Sequence, residues 1–306
     1  MADISRRTLL QFMGLEVGNA MLNSQPYSLK QHSFTQGLIP KALLIGIDGL
    51  RADSLQAVKT PSINYLLNHG AYSYEAQAGE HTWSGPGWST ILTGVTEAKH
   101  GVIDNTFSGS HLDKYPSMFD HVAKEKPPLK TASLVSWPEL DDHIIKDGWV
   151  KEYLPYGQDE DIPIANRAAA LLSRSPVDFL FAYFMSVDMA GHNHGFNHAV
   201  PEYRNAIMDV DKYVGKLMRS IARRPQYDRE NWLVMMTSDH GGIGKNHGGT
   251  SAEEKTIPFV VCGRGVKKGK ILSAPSQVDV VPTLLHHLGV PVKAEWGLDG
   301  KVVGLK

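Results

Sequence analysis

Residues 41–49 of the chain read KALLIGIDG, a continuous apolar run that ends abruptly at Asp48-Gly49. An unbroken apolar run of this length is typical of a parallel strand buried on both faces of a sheet, and Asp-Gly is a common turn. Further runs of the same kind occur at 131–136, 179–184, 232–237 and 257–262. The sequence therefore predicts a central sheet of buried strands.

Helical patterns lie between these strands. Thr60-Pro61 opens one helix that ends at His69, because proline is favoured just inside a helix start and Gly70 is suited to the position just past its end. Other helices are expected at 117–124, 163–174, 201–223 and 278–288. Strands that alternate with helices predict an α/β fold, with a mostly parallel central sheet and helices on both of its faces.

The composition excludes several classes of protein. The chain has 306 residues, of which 42% are hydrophobic and 21% charged, as is ordinary for a soluble globular protein. Its formal net charge of -1 provides no global basic field, so we expect no stable nucleic-acid partner. Cys262 is the only cysteine, which excludes an intramolecular disulfide and a thiolate metal cluster. No apolar stretch reaches the roughly 18–20 residues that a transmembrane helix needs.

The chain is expected to consist of an N-terminal segment, 1–40, and a catalytic domain, 41–306. Ser5-Arg6-Arg7 and the moderately apolar run after it resemble a twin-arginine export signal, and an ordinary amphipathic helix is the alternative. A signal would direct the protein to the periplasm or out of the cell, whereas an ordinary helix would leave it in the cytoplasm. Within the catalytic domain, the loop-rich segment 101–160 is expected to form a small cap over the functional site.

Candidate metal ligands follow three of the predicted strands. They are Asp48 after 41–47, Asp188 and His192 after 179–184, and Asp239, His240 and His247 after 232–237. Open parallel sheets bind ligands beyond the carboxyl ends of their strands, so these side chains are expected to meet at one edge. Each element alone is more often a turn or a surface residue. Together, three carboxylates and three imidazoles without a thiol suit zinc, with manganese or iron as alternatives.

A hydroxyl group lies at the start of a further predicted helix. Residues 83–94 read WSGPGWSTILTG, in which the glycines permit close approach of a ligand and residues 87–92 can form a helix. Ser84 would lie at the N-terminus of this helix, where free N–H groups and the helix dipole favour an anion. Such a hydroxyl is often only a helix cap. Beside a metal it is a candidate nucleophile, because coordination stabilises the alkoxide.

In their order along the chain, these motifs resemble those of the alkaline phosphatase superfamily, and most closely its type I phosphodiesterase/nucleotide pyrophosphatase branch. The motifs are Asp48-Gly49, the Ser84 segment ending in Thr93-Gly94, His100-Gly101 through Asp104-Asn105, Asp188-x-x-Gly191-His192, Ser238-Asp239-His240-Gly241 and His247-Gly248. The resemblance extends from about Lys41 to Leu288.

The resemblance implies a hydrolase that uses two divalent metal ions, with Zn²⁺ expected and Mn²⁺ or Fe as alternatives. One ion would be bound by Asp188, His192 and His247, and the other by Asp48, Asp239, His240 and the oxygen of Ser84. The implied reaction is hydrolysis of a small-molecule phosphate ester through a covalent phosphoseryl intermediate on Ser84. Phosphodiesters or nucleotide-type compounds are the expected substrates.

The sequence also departs from the family pattern. The branch usually carries threonine where Ser84 stands, and Gly87 occupies a position where an asparagine that contacts the phosphate is expected. Asn105 or a backbone N–H group is therefore the candidate for that contact. Lys245 is the nearby cation expected to reach the phosphate, because it lies between two of the candidate histidine ligands.

Three alternative functions stay open at this point. A phosphomonoesterase of the same superfamily would need an additional cation for the dianionic phosphate, and Lys245 could supply it. A sulfatase would need an arginine where Trp88 stands, for its maturation pattern. A non-catalytic, metal-stabilised binding protein would need the metal ligands but no hydroxyl at position 84.

Overall fold

The structure of the chain, a computed structural model, describes residues 37–157 and 161–306. The segment at Ser5-Arg6-Arg7, for which an export signal and an amphipathic helix are the two alternatives, lies outside these residues. One eight-stranded sheet occupies the centre of the described part of the chain. Its strands are β1 (Ile39–Ile47), β2 (Ala71–Gln77), β3 (Thr131–Val135), β4 (Val150–Tyr153), β5 (Phe179–Phe184), β6 (Glu230–Thr237), β7 (Thr256–Gly263) and β8 (Gly269–Lys270).

The order of the strands across the sheet is β4-β3-β5-β1-β6-β7-β2-β8. The first five strands in this order are mutually parallel, and β8 is parallel to β2. Only β7 runs against its neighbours, because it is antiparallel to both β6 and β2. The predicted mostly parallel sheet is confirmed. Since β5, β1 and β6 are adjacent and parallel, the chain leaves all three at the same edge of the sheet.

Helices cover both faces of the sheet, as predicted. In the described ranges they are α1 (Ala52–Ala57), α2 (Pro61–His69), α3 (Ser84–Thr93), α4 (Glu97–His100), α5 (Met118–Glu125), α6 (Ile162–Arg174), α7 (Ser186–His194), α8 (Pro201–Ala222), α9 (Ala252–Lys255) and α10 (Val280–Leu288). One hydrophobic core lies between the sheet and α2, α6 and α8, and a second lies between the sheet and α3, α5 and α10. Alternate residues of β1 enter the two cores, Leu43 and Ile45 the first and Ala42 and Leu44 the second.

The longest helix of the described ranges, α8, connects the fold to the site. It starts with Pro201 and buries an apolar stripe at helical spacing that begins with Tyr203 and Ile207. The hydroxyl of Tyr203 donates to the carbonyl oxygen of Gly49 at 2.7 Å and accepts from the N–H of Arg51 at 3.1 Å. The packing of α8 therefore fixes the turn that follows Asp48.

The segment 101–160, expected to form a cap, contains several kinds of structure. Residues 101–117 form loops, and β3 and β4 join the central sheet at one edge. A π-helical turn, Leu140–Ile144, follows β3.

Across residues 37–157 and 161–306, no helix is both long enough and apolar enough to cross a membrane.

Candidate active site

Six side chains converge where β1, β5 and β6 end, and they form two clusters. We call Asp48, Asp239 and His240 the buried cluster, and Asp188, His192 and His247 the outer cluster. Within each cluster, one candidate ligand atom of each residue lies within 4.8 Å of the others. The division between the clusters is the one that the family resemblance implies.

In the buried cluster, each carboxylate has one oxygen held by the protein and one oxygen turned to the cluster. The Nε2 atom of His240 lies 3.1 Å from Oδ2 of Asp239 and 3.5 Å from Oδ1 of Asp48. These two carboxylate oxygens are buried, and neither accepts a hydrogen bond from a described residue. The other oxygen of Asp48 accepts from the indole N–H of Trp88 at 3.0 Å and from the hydroxyl of Tyr183 at 2.6 Å.

In the outer cluster, two imidazole nitrogens approach each other closely. The Nε2 atoms of His192 and His247 are 2.9 Å apart. The Asp188 carboxylate faces both, with Oδ2 at 3.4 Å from His192 and Oδ1 at 3.6 Å from His247. This Oδ1 is buried and accepts no hydrogen bond from the described part of the chain.

Backbone carbonyl groups fix the orientation of all three histidines. The Nδ1 atoms of His192, His240 and His247 lie 2.7 to 2.9 Å from the carbonyl oxygens of Lys245, Gly241 and Thr82 respectively. A carbonyl oxygen can only accept, so each neutral ring carries its proton on Nδ1 and presents a lone pair at Nε2. Histidines that bind metals are commonly held in this way.

These observations show that the residues fit divalent cations. The lone pairs of His192 and His247 would repel each other at 2.9 Å unless a positive charge lay against both. Buried carboxylate oxygens without hydrogen-bond donors are also unfavourable, because they lose their hydration and nothing replaces it. A bound cation would compensate for this loss. Oxygen and imidazole ligands without thiolates are typical of sites for zinc and related metals.

The pKa values of the clusters reflect burial and, in the buried cluster, the excess of negative charge. Burial, followed by the neighbouring Asp239 and Asp188 carboxylates, raises the pKa of Asp48 well above its usual value. Burial raises the pKa of Asp188 to about 6. Burial alone would lower the pKa of His240, but the Asp239 and Asp48 carboxylates outweigh it and raise the value to about 10. The buried cluster thus favours added positive charge.

Ser84 is the first residue of α3 and lies against the buried cluster. It is 8% exposed, and its Oγ is 3.4 Å from Nε2 of His240. Gly87 lets the helix approach this closely, because a Cβ atom there would lie 2.8 Å from Cβ of Asp239 and 2.9 Å from its carbonyl oxygen. Gly87 therefore brings the start of α3 next to the candidate ligands.

Asn105 lies beside the N-terminus of α3. Its Oδ1 accepts a hydrogen bond from the N–H of Gly85 at 2.7 Å. Because the oxygen is used by this donor, the amide NH₂ is the group left to donate to a ligand. Phe107 lies two residues further along the same loop. Its φ of 56° is the only positive value at a non-glycine residue in the described ranges. The ring of Phe107 stacks on that of His143, with centroids 4.4 Å apart.

Three cations near the motifs, Arg51, Lys99 and Lys245, are bonded to other groups. The ammonium of Lys245 donates to the carbonyl oxygen of Asn193 at 2.8 Å. Arg51 is buried and donates to two backbone carbonyl groups and a neighbouring carboxylate. Lys99 pairs with Asp299. Lys245 was expected to contact the phosphate, but in the structure its ammonium bonds the backbone of Asn193. Arg51 has a structural role, because it joins two backbone segments.

Two residues that support the buried cluster were not assigned that role from the sequence. Trp88 and Tyr183 are both buried and donate to the same oxygen of Asp48. Trp88 lies four residues after Ser84 on α3, so helical spacing places both on one face. That spacing is a signal that could have identified Trp88, whereas Tyr183 carries no comparable signal.

Comparison with known proteins identifies relatives of the chain. The model of the family described as Type I phosphodiesterase / nucleotide pyrophosphatase matches residues 42–247. Human ectonucleotide pyrophosphatase/phosphodiesterase family member 5 is 28% identical over 222 residues, which are 66% of this chain and 44% of that protein. The bis(5'-adenosyl)-triphosphatase of Bos taurus is 26% identical over 222 residues, 66% of this chain and 47% of that protein. The chain spans about half the length of these relatives.

Solved structures share the fold. An inactive form of murine ectonucleotide pyrophosphatase/phosphodiesterase 5 in complex with AMP aligns with a TM-score of 0.68 and 17% identity, over 83% of this chain and 96% of that chain. A 2-O GAG sulfatase aligns with a TM-score of 0.70 and 16% identity, over 86% of this chain and 73% of that chain. These similarities confirm an alkaline phosphatase-like fold.

Proposed function

This chain belongs to the type I phosphodiesterase/nucleotide pyrophosphatase family, and we propose that it hydrolyses phosphate esters with two bound divalent metal ions. One observation carries the proposal. The hydroxyl of Ser84, at the start of α3, lies 3.4 Å from Nε2 of His240 in the buried cluster, and the ring of His240 stacks on that of His247 in the outer cluster. A nucleophile, an anion-favouring helix terminus and metal ligands therefore occur together.

The residues divide between two ions. Asp188, His192 and His247 would hold one, while Asp48, Asp239, His240 and the oxygen of Ser84 would hold the other. The ligand types favour Zn²⁺, with Mn²⁺ or Fe as alternatives. When bound, such ions stabilise a serine alkoxide and offset the negative charge of the phosphate and of the leaving oxygen.

The proposed reaction has two steps, and Ser84 takes part in both. Ser84 releases its hydroxyl proton to solvent as its oxygen attacks phosphorus, and the bond from phosphorus to the leaving oxygen breaks. The leaving oxygen takes up a proton from solvent, so the products of this step are a phosphoseryl ester and a free alcohol. Water then attacks the same phosphorus from the opposite side, which releases the phosphate product and restores the hydroxyl of Ser84. The NH₂ group of Asn105, whose Oδ1 accepts from the N–H of Gly85, would donate to a phosphate oxygen.

We favour phosphodiesters or nucleotide-type compounds over monoesters as substrates. A monoester is a dianion at neutral pH and calls for an additional cation. Arg51, Lys99 and Lys245 are bonded to other groups. Trp83, which precedes Ser84, is 38% exposed and packs against His247 with ring centroids 5.1 Å apart, so it offers an aromatic surface to a second ester group.

Replacement of Ser84 tests the proposal. Ser84→Ala should abolish hydrolysis of bis(p-nitrophenyl) phosphate while elemental analysis still finds close to two metal ions per chain, since the six protein ligands are intact. Ser84→Thr should keep measurable activity, because it retains a hydroxyl. Ser89→Ala is the matched control, since it removes another buried hydroxyl from α3.

Near wild-type turnover by Ser84→Ala would refute the assignment of the nucleophile, and Thr82 would then be the residue to examine. Metal binding without any turnover, in both wild type and variant, would instead favour the non-catalytic binding protein.

A further inference from the structure

A cavity of about 510 Å³ lies beside the loop between β2 and α3. Its volume falls in the range of about 300–1,000 Å³ that is typical of small-molecule sites. His81, Glu97, Ile103 and Lys255 are among the residues that line it. None of these residues has a role in the two metal clusters.

A buried carboxylate holds the imidazole of His81. One oxygen of Glu97 accepts from the backbone N–H of His81 at 3.0 Å, and the other lies 2.6 Å from its Nδ1. The Glu97 side chain is 8% exposed, whereas that of His81 is 44% exposed. Gly79 packs on this carboxylate so closely that a Cβ atom there would lie 2.3 Å from it. Since a buried carboxylate is costly, one whose two oxygens bond the backbone N–H and the imidazole of a single half-exposed histidine indicates a functional arrangement.

The groups that face the cavity are available to a ligand. Because Nδ1 of His81 is bonded to Glu97, the ring nitrogen left for the cavity is Nε2. Neither this nitrogen nor the ammonium of Lys255 is hydrogen-bonded to any residue in the described ranges. Ile103 adds an apolar surface that is 52% exposed.

The two segments that border the nucleophile also line the cavity. His81 comes three residues before Ser84, and an extended chain spans at most about 3.6 Å per residue, so their Cα atoms lie within about 11 Å. Ile103 comes two residues before Asn105, whose Oδ1 accepts from the N–H of Gly85. The loop that carries His81 therefore leads directly to the residue at which the phosphate is placed.

We propose that this cavity binds the ester group of the substrate that does not lie on Trp83, and that the His81–Glu97 pair selects a hydroxyl-bearing group there, such as a sugar or another polyol. The inference rests on the proposed function, since it places the phosphate at Ser84. An oriented imidazole nitrogen and an ammonium recognise hydroxyl groups, while Ile103 packs against the carbon framework. A planar base is disfavoured, because His81 is the only ring among the described residues that line the cavity, and Glu97 holds it.

Calorimetric titration of the metal-loaded full chain tests this proposal. The Ser84→Ala background prevents turnover, and the ligands are two methyl phosphodiesters, methyl D-glucos-6-yl phosphate and methyl cyclohexylmethyl phosphate, which share a monoanionic phosphate and a six-membered ring but differ in hydroxyl groups. The glucose diester should bind about tenfold more tightly, as one or two hydrogen bonds provide. Adding His81→Phe should remove this preference and leave the affinity for the cyclohexylmethyl diester within about twofold. Adding Glu97→Gln should reduce the preference, because it leaves His81 less firmly oriented.

His69→Phe is the matched control, since it replaces another half-exposed histidine that lies on α2. It should change neither affinity. Equal binding of the two phosphates, failure of both to bind, or equal weakening of both by His81→Phe would overturn the proposal. Since binding is measured without turnover, a negative hydrolysis assay would count against the proposed reaction and not against this cavity.

Discussion

Tyr183→Phe isolates the hydrogen bond that supports the buried cluster. The hydroxyl of Tyr183 donates to Oδ2 of Asp48 at 2.6 Å, and both side chains are buried. Burial and the adjacent Asp48 carboxylate raise the pKa of Tyr183 well above its usual value, so the hydroxyl keeps its proton and stays a donor at any working pH. The substitution removes one oxygen atom and leaves the ring and its packing in place.

The expected magnitude follows from the charge of the acceptor. A hydrogen bond to a charged group contributes about 1.5–3 kcal/mol, and about 1.4 kcal/mol corresponds to a tenfold change in affinity. We therefore expect Tyr183→Phe to weaken metal binding at the buried cluster by about 10- to 100-fold, as is usual for groups that orient metal ligands. Competition with a chromophoric zinc chelator measures this change. Activity should return when excess metal is added.

Tyr72→Phe is the control, because Tyr72 lies on β2, which pairs with β7 and β8 and not with the strands that carry the clusters. The account is refuted if Tyr183→Phe folds normally and binds metal as tightly as the wild type. It is also refuted if Tyr72→Phe causes an equal loss, since the effect would then be unspecific.

Four further predictions concern the ligands, the substrate and the pH. Asp239→Ala and His192→Ala should each lower the metal content from two ions towards one, and a fully active protein with a single bound ion would contradict this. The wild type should show a higher kcat/KM for bis(p-nitrophenyl) phosphate than for p-nitrophenyl phosphate, and a clear monoester preference lost on Lys245→Ala would favour the phosphatase alternative. Trp83→Ala should raise the KM for bis(p-nitrophenyl) phosphate by about tenfold if its ring stacks on the ester group, while an unchanged KM would exclude the contact. Burial lowers the pKa of His100 to about 4 from 6.5, so the unfolded chain binds more protons between these values, and stability should fall by about 3 kcal/mol as the pH drops through that window. Urea titrations at several pH values should show a smaller fall in the free energy of unfolding for His100→Gln than for the wild type. An equal dependence of this free energy on pH in the two proteins would refute the assignment to His100.

The strands predicted best from the sequence are those with a hydrophobic core on both faces. Residues 179–184 were predicted with the bounds that β5 has, and the prediction for β1 lacks only its first two residues. These strands consist of continuous apolar runs because they lie between two hydrophobic cores. In contrast, β2 and β4 were not predicted. Both alternate more exposed with more buried residues, and β4 has only four residues at the edge of the sheet, so neither has a clear apolar signal.

Part of the site depends on contacts that no local pattern contains. The helix α7, which carries Asp188 and His192, begins at Ser186 only two residues after β5 ends, and its composition includes Gly191 and Asn193, which are weak helix formers. The contact between Tyr183 and Asp48 joins residues 135 positions apart. Such supporting interactions arise from the order of the strands, which the sequence analysis did not provide.

The most direct test of the reaction through Ser84 is the stereochemical course at phosphorus. The measurement uses a P-chiral phosphorothioate diester, hydrolysed in isotopically labelled water, and determines the configuration of the product. Attack by Ser84 inverts the configuration, and attack by water on the phosphoseryl intermediate inverts it again. The account predicts net retention of configuration. Net inversion would show a single displacement by water and would contradict the role of Ser84 as the nucleophile.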